Sequence, residues 1–266
     1  MSGERQTDLF DCPSLSRPVT KERSVSEALY ADRPDVYDAL YADKEYDAEV
    51  EFVVEQFEAE GNGGDRALVV GCGTGEHATR LRERGFEVTG VDRYEAMVER
   101  ARTKSDAEFR VGRLPDLPVD DGFDLVFLPF TVVDHLPPEA FAPSLRSLAD
   151  ALADDGLLVF DTMGERPPEP TALQLYTYDR PEGTYARLVQ KRPFGDRRVR
   201  WDSLVVTPDG DVFADVHDLT DYDRAVVVGA LEVLGLSVET FDWYGDTEQE
   251  GYDATVFVAS AGSGSR

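Results

Sequence analysis

Residues 68–77, with the sequence LVVGCGTGEH, constrain the fold more than any other part of the chain. The apolar run at 68–70 contains two β-branched residues, which is typical of a parallel strand that is covered on both faces. Three glycines follow at alternate positions: Gly71, Gly73 and Gly75. Glycine accepts positive φ and lets a ligand come close to the backbone. Because a helical pattern starts near Thr74, the segment predicts a strand, a ligand-binding turn and a helix.

The spacing of these glycines distinguishes between nucleotide ligands. A dinucleotide site normally carries G-x-G-x-x-G, with the pyrophosphate at the helix N-terminus. Here the third glycine, Gly75, comes one residue early, and the carboxylate of Glu76 after it would repel a phosphate. Further along, VTGVD at 88–92 ends a second predicted strand at Asp92, where an acid can bind ribose hydroxyls. A nucleoside without phosphates therefore fits this pattern better than NAD does.

Strands and helices alternate over the following residues. Strands are predicted at 66–71, 86–91, 107–111, 123–128 and 156–162, and helices at 74–84, 93–104 and 137–153. Regular alternation of this kind predicts an α/β fold with a mostly parallel sheet and helices on both faces. Ligands of such sheets bind beyond the carboxyl ends of the strands, at the switch point. Gly71, Asp92 and Leu128 are expected to converge there.

A different pattern occupies residues 170–218. Alternating segments at 187–190 and 199–204 are separated by turn sequences, which favours antiparallel hairpins. A helix is predicted again at 221–234, followed by strands near 236–243 and 252–259. The predicted organisation is a core of residues 26–165 and 219–260 that carries an antiparallel β insertion at 170–218 between its fifth and sixth strands. Residues 1–25 are polar and broken by prolines, and are predicted to be a disordered tail.

The acidic composition limits the classes of partner. The chain has 54 Asp and Glu against 27 Lys and Arg, so its formal net charge is −27. With no basic face to neutralise phosphates, we expect no binding to nucleic acid and none to anionic membranes. A solvated acidic surface adapted to high salt, as in a halophile, is the first interpretation, because self-repulsion is screened over about 3 Å at 1 M salt. A specific acidic interaction surface is the alternative.

Cysteine content and hydropathy bear on the compartment. Cys12 and Cys72 are too few and too differently placed to form a disulfide framework. No apolar stretch approaches the roughly 20 residues that span a bilayer, and the N-terminus lacks the pattern of a signal peptide. These features predict a cytoplasmic protein. They leave the choice between monomer and homodimer open.

Several segments carry a family resemblance. They are LVVGCGTGEHATRLRERGFEVTGVDRYEAMVERAR (68–102), FDLVFLPFTVVDHL (123–136), DDGLLVFDTM (154–163), GLSVETFDWYG (235–245) and ATVFVAS (254–260). In this order they resemble the motifs of class I S-adenosylmethionine-dependent methyltransferases. The resemblance implies a Rossmann-like fold with a seven-stranded, mostly parallel sheet, and S-adenosyl-L-methionine as the cofactor. The β insertion and YDALYADKEYDAEVEFV (37–53) resemble a subgroup that includes nucleotide-linked aminosugar N-methyltransferases.

The resemblance also implies a cofactor site. The residues expected there are Gly71, Cys72, Gly73, Gly75, Asp92, Arg93, Arg113, Leu114 and Leu128. The methionine part would lie over the glycine turn and the ribose at Asp92, although Asp92 could instead cap the following helix. Where many relatives have Gly-Asp after the third strand, this chain has Gly112-Arg113. The adenine is therefore expected either at the backbone of Arg113 and Leu114 or at Asp116.

The acceptor is expected near the loop after the fourth strand. His135 is the candidate proton acceptor, since a neutral imidazole can take up a proton near pH 7. The neighbouring acceptor-binding candidates are Tyr37, Tyr41, Phe130 and Asp134, roofed by the insertion. Two alternatives stay open, namely that Asp134 and His135 cap the helix near Pro137 and that the tyrosines belong to a core stripe. No metal site is predicted, because the three histidines do not share metal-ligand spacing and no cysteine joins them.

The sequence thus predicts a methyltransferase that acts on a small-molecule acceptor. Transfer to nitrogen is the first expectation, and transfer to oxygen is the second. Two other classes are kept as alternatives: an NAD-type oxidoreductase, which the early third glycine and Glu76 oppose, and a non-catalytic S-adenosylmethionine-binding regulatory protein, which nothing in the sequence excludes.

Overall fold

The structure, a computed structural model, describes residues 27–163, 167, 169–245 and 254–261. The predicted tail at 1–25 lies outside these residues. The strands are β1 (Arg66–Val70), β2 (Glu87–Asp92), β3 (Glu108–Val111), β4 (Phe123–Leu128), β5 (Leu152–Met163), β6 (Gln174–Arg180), β7 (Gly183–Phe194), β8 (Arg198–Val206), β9 (Val212–Thr220), β10 (Leu236–Phe241) and β11 (Ala254–Ala261). The helices are α1 (Ala28–Ala31), α2 (Pro34–Leu40), α3 (Tyr46–Glu60), α4 (Glu76–Glu83), α5 (Glu95–Arg102), α6 (Pro138–Ala151) and α7 (Arg224–Val233), with a 3₁₀ turn at Val132–His135.

Seven strands form the central sheet in the order β10-β11-β5-β4-β1-β2-β3. The pairs among β1 to β5 are parallel, whereas β11 runs antiparallel to both β5 and β10. A second sheet of four antiparallel strands has the order β6-β7-β8-β9. The predicted fold class, a mostly parallel seven-stranded sheet with a small antiparallel insertion, is confirmed. The main difference in boundaries is that β5 begins at Leu152 rather than near residue 156.

The apolar runs in the central strands are explained by burial on both faces. Val69, Phe127 and Val159 are in register on β1, β4 and β5 and belong to the core on one side of the sheet. Their chain neighbours Leu68, Val126 and Leu158 belong to the core on the other side. Since side chains alternate across a strand, a sheet covered on both faces requires consecutive apolar residues.

The helices α1 and α2 pack between the central sheet and the four-stranded sheet. A third apolar cluster joins residues of both helices, such as Leu29 and Leu40, to Met97 of α5 and Val205 of β8. Polar contacts reinforce this packing, because the backbone N–H of Leu29 donates to Asp215 of β9 at 3.0 Å. The two helices and the insertion therefore meet at one edge of the central sheet.

None of the helices in the described residues is both long enough and apolar enough to cross a membrane.

Candidate functional site

A cavity of about 670 Å³ opens at the carboxyl ends of β1, β2 and β4. Its walls include the glycine turn after β1, the residues after β2, β3 and β4, and residues of α1 and α2. The volume lies within the range of roughly 300–1,000 Å³ that is usual for small-molecule sites. Its place at the ends of parallel strands is where α/β sheets bind ligands.

The glycine turn leaves part of the cavity wall without side chains. Gly71, Gly73 and Gly75 all have positive φ, at 68°, 52° and 88°. A Cβ atom built on Gly73 meets nothing within 4 Å, so the backbone there is open to a ligand. Gly71, Cys72 and Gly73 line the cavity, whereas Gly75 is not among the lining residues. A Cβ on Gly75 would come within 3.0 Å of Ala101, so this glycine serves the packing of α4 against α5.

Asp92 at the end of β2 both fixes the turn and faces the cavity. Its Oδ2 accepts the backbone N–H of Gly73 and its Oδ1 that of Tyr94, each at 2.9 Å. Burial raises the pKa of this carboxyl, although the two backbone donors oppose the shift. The N-cap residue of α5 is Tyr94, not Asp92. Because each carboxylate oxygen can accept a further hydrogen bond, Asp92 remains able to bind hydroxyl groups.

Three further cofactor candidates, Arg93, Arg113 and Leu114, line the same cavity. Arg93 lines it and contacts the carboxylate of Glu27, while its guanidinium lies 4.7 Å from the ring centre of Tyr94. Arg113, Leu114 and Asp116 also line the cavity. The structure is therefore compatible with both predicted adenine contacts, the backbone of Arg113 and Leu114 or the side chain of Asp116.

Glu76, interpreted above as repelling phosphate, has partners that reduce its effect. Its carboxylate pairs with Lys104 at 2.8 Å and with Arg80 at 2.6 Å. The same lysine reaches Thr74 in the turn at 3.0 Å. These two cations offset the negative charge beside the glycine turn, so the carboxylate alone is a weak argument against a phosphate.

Three of the acceptor candidates line the cavity: Tyr37, Phe130 and His135. Phe130 and Thr131 have positive φ, at 64° and 57°, which is uncommon for residues with side chains and is typical of functional loops. The backbone N–H of Thr131 donates to the buried Asp161 at 3.0 Å and holds the loop in this conformation. Burial lowers the pKa of His135, and Glu27 opposes the shift only in part, so the imidazole is neutral near pH 7.

Other candidates lie behind the cavity rather than in its wall. Leu128 is fully buried in the core. Asp134 is also fully buried, and its Oδ2 accepts the backbone N–H of Met163 at 2.6 Å, so it secures the loop to the end of β5. Tyr41 packs on Tyr37 and Phe130 with ring centres 4.7 and 5.0 Å away. The local apolar pattern of the sequence cannot distinguish a residue that lines the cavity from one that packs directly behind the lining.

The alternative of helix capping also fails at this loop. The N-cap residue of α6 is Pro137, and no side-chain hydrogen bond caps that end. The carboxylate of Asp134 accepts the backbone N–H of Met163 in β5, and the ring of His135 lies in the cavity wall.

His135 is surrounded by a cluster of side chains that the sequence did not indicate. Nδ1 of His135 and Nδ1 of His217 each lie 3.8 Å from Oε1 of Glu27. Tyr30 packs against both imidazoles, with ring centres 5.9 and 4.8 Å away. His217 lies on the edge strand β9, but its side chain is buried beneath α1. Nothing in the local sequence pairs residues that are so far apart along the chain.

Arg187 of β7 is a second residue that the sequence did not indicate. Its guanidinium is buried and donates to the hydroxyl of Tyr41 at 2.8 Å and to Ser203 at 3.2 Å. It also lies 3.7 Å from Asp215. The residue thereby connects the insertion to Tyr41, which lies behind the cavity wall.

Comparison with known proteins adds to this geometry. Residues 67–156 match the family model described as a methyltransferase domain. A protein of Geobacillus sp. (strain WCH70), named as a methyltransferase, is 37% identical over 132 residues, which are 47% of this chain and 53% of the relative. The chain spans about half the length of the curated relatives it matches.

Two solved structures resemble nearly the whole described fold. One is an S-adenosylmethionine-bound amino pentose methyltransferase from Micromonospora echinaspora, with a TM-score of 0.72 and 25% identity, covering 85% of this chain and 97% of that chain. The other is a sugar N-methyltransferase from Streptoalloteichus sp., with a TM-score of 0.70 and 25% identity, covering 84% and 92%. Both agree with the fold and with the resemblance seen in the sequence.

Proposed function

We propose that this chain, as a member of the class I S-adenosylmethionine-dependent methyltransferase superfamily, methylates an amine on a small, sugar-like acceptor. The predicted family and the predicted cofactor, S-adenosylmethionine, are confirmed. The choice of a small amine rests on the residues of the cavity and on the two sugar-amine enzymes that share the fold.

The residues at the glycine turn fit the cofactor. Gly73 leaves its backbone open to the cavity, and Asp92 offers buried carboxylate oxygens beside it. When bound, S-adenosylmethionine supplies an electrophilic methyl group on a sulfonium centre. Because such a donor needs little covalent help, we expect the protein to accelerate transfer mainly by orienting the acceptor and excluding water.

One observation carries the proposal of an amine acceptor: a neutral imidazole and an ionised carboxylate share the cavity with the glycine turn. Burial raises the pKa of Glu27, but the neighbouring imidazoles, Tyr94 and Arg93 outweigh it, so the pKa lies well below its usual range. An ionised Glu27 can hold an ammonium group, and a neutral His135 can accept a proton from it before transfer, which frees the nitrogen lone pair that attacks the methyl group. The rings of Tyr37 and Phe130 keep water from this part of the cavity.

Turnover with matched acceptors tests the proposal. The purified protein is incubated with S-adenosylmethionine and pairs of amino sugars and their hydroxyl analogues, and mass spectrometry detects methylated products. We expect methylation of the amine. Exclusive methylation of the hydroxyl analogues would reassign the reaction to oxygen.

His135→Ala should lower turnover roughly 10²–10⁴-fold, the usual contribution of a general base, while S-adenosylmethionine affinity measured by calorimetry stays the same. Glu139→Ala, an exposed change at the start of α6, is the control. Unchanged turnover in His135→Ala would remove the imidazole from the reaction. Loss of donor binding would instead make it a part of the cofactor site.

The two alternative functions, oxidoreductase and regulatory protein, would give different results in binding and turnover experiments. An NAD-type oxidoreductase should bind NADH in preference to S-adenosylmethionine in a direct titration. A non-catalytic regulatory protein should bind S-adenosylmethionine and methylate none of the acceptors.

A further inference from the structure

Three side chains from distant parts of the chain direct metal-binding atoms toward one another. The ligating atoms of Glu27, His135 and His217 all lie within 4.8 Å of one another, and Oε1 of Glu27 is 3.8 Å from each Nδ1. A tetrahedral Zn²⁺ ion with bonds of about 2.1 Å separates its ligands by about 3.4 Å. Small side-chain shifts would therefore bring this set into coordination range.

His217 is oriented in the way that metal ligands usually are. Its Nε2 lies 2.7 Å from Oδ2 of Asp215, which can accept the N–H and leave the lone pair on Nδ1. That Nδ1 is buried and has no hydrogen-bond partner within the part of the chain that the structure describes. Buried polar atoms are seldom left unpaired. In metal sites, a ligating imidazole commonly donates its other N–H to a carboxylate in this arrangement.

The charged side chains around this cluster affect which metal ions can bind there. Arg93 and the hydroxyl of Tyr94 already contact the Glu27 carboxylate, and Arg187 lies 3.7 Å from Asp215. These contacts hold the carboxylates in place, but the two guanidinium groups also repel a cation. The site therefore favours ions with high affinity for imidazole, such as Zn²⁺, Cu²⁺ and Ni²⁺, over Mg²⁺ and Ca²⁺, which prefer oxygen ligands.

We propose that Glu27, His135 and His217 form a binding site for one transition-metal ion of the Zn²⁺ class, with Asp215 positioning His217. Three protein ligands leave at least one coordination position open, as in catalytic rather than structural zinc sites. Glu27 and His135 both line the cavity, so this position is accessible to a ligand there. The inference goes beyond the proposed function and does not require it.

Metal titration of the protein tests the site directly. Untagged full-length protein is stripped with a chelator and titrated with Co²⁺, followed by its visible absorption, and with Zn²⁺ by calorimetry, without donor or acceptor. We expect one Co²⁺ or Zn²⁺ ion per chain and no binding of Mg²⁺. Absence of Co²⁺ and Zn²⁺ binding to the native protein would overturn the proposal.

Substitutions in the cluster test whether the metal ion binds at these residues. Glu27→Gln and His217→Ala should each weaken binding at least tenfold, and Asp215→Asn, which changes no ligand, should weaken it about 10–100-fold. Glu139→Gln, an exposed change, is the matched control and should bind as the native protein does. Equal affinity in all variants would overturn the assignment. A thermal melt of each variant shows that it folds, and if His217→Ala does not, Glu27→Gln and Asp215→Asn carry the test.

The ion has an expected effect on the proposed reaction. An amine that coordinates the ion loses the lone pair that attacks the methyl group, and His135 loses the nitrogen that binds the ion. Zn²⁺ should therefore inhibit amine methylation in the native protein, with recovery on adding chelator. If no ion binds while amines are still methylated, only the metal site fails; if the ion binds and no amine is methylated, only the proposed function fails.

Discussion

At the scale of single residues, Asp92 serves the fold and the cavity at once. Its two oxygens accept the N–H groups of Gly73 and Tyr94, so it fixes the backbone on both sides of the cofactor turn. We expect Asp92→Ala to weaken S-adenosylmethionine binding by about 1.5–3 kcal/mol, because charge-assisted hydrogen bonds are lost. Calorimetry measures the change, and Asp106→Ala, an exposed substitution, is the control. Unchanged affinity in Asp92→Ala would take this carboxylate out of the binding site.

At the scale of elements, the end of β5 holds the loop after β4 through Asp161. Burial raises the pKa of this carboxyl to about 7, although the backbone N–H of Thr131 opposes the shift and Glu49 adds to it. The folded-state pKa lies above the ordinary value of 3.8, so the folded protein binds the extra proton. The resulting stability is fully present below about pH 4 and is lost as the pH rises through about 7.

Asp161→Asn keeps an acceptor for Thr131 and removes the charge. Relative to the native protein, this variant should gain thermal stability between pH 5 and pH 8, by a few kcal/mol at most, since each pKa unit corresponds to about 1.4 kcal/mol. Melting curves at several pH values measure the difference, with the exposed Asp150→Asn as the control. A difference that does not change with pH would show that Asp161 ionises in the folded protein as freely as in the unfolded chain.

At the scale of the whole molecule, the net charge of −27 acts against the folded state. Compact packing brings carboxylates together, and their repulsion is screened over about 10 Å at 0.1 M salt but over about 3 Å at 1 M. We expect the melting temperature to rise by several degrees between low and molar KCl, since about 1 kcal/mol corresponds to roughly 2–4 °C for a chain of this size. A non-ionic osmolyte at equal osmolality is the control. A melting temperature independent of KCl would contradict adaptation to high salt.

The sequence by itself determined the local features. The apolar run before Gly71 had to be a doubly covered strand, and the glycines and Asp92 had to lie together at its carboxyl end, because parallel strands place their ends at one edge. The hairpin turns of the insertion were also predictable from the sequence, since turn residues specify them locally. These features depend on residues close together in the chain or on a rule that applies to all parallel sheets.

Only the tertiary structure decided which side chains share the cavity. Glu27 reaches His135 and His217 because α1 packs between the central sheet and β9, a contact between elements that are remote in sequence. It also decided that Asp134 points into the core and His135 into the cavity, although they are neighbours in one 3₁₀ turn. Local periodicity sets which residues can be buried, but the packing of distant elements sets what each buried group meets.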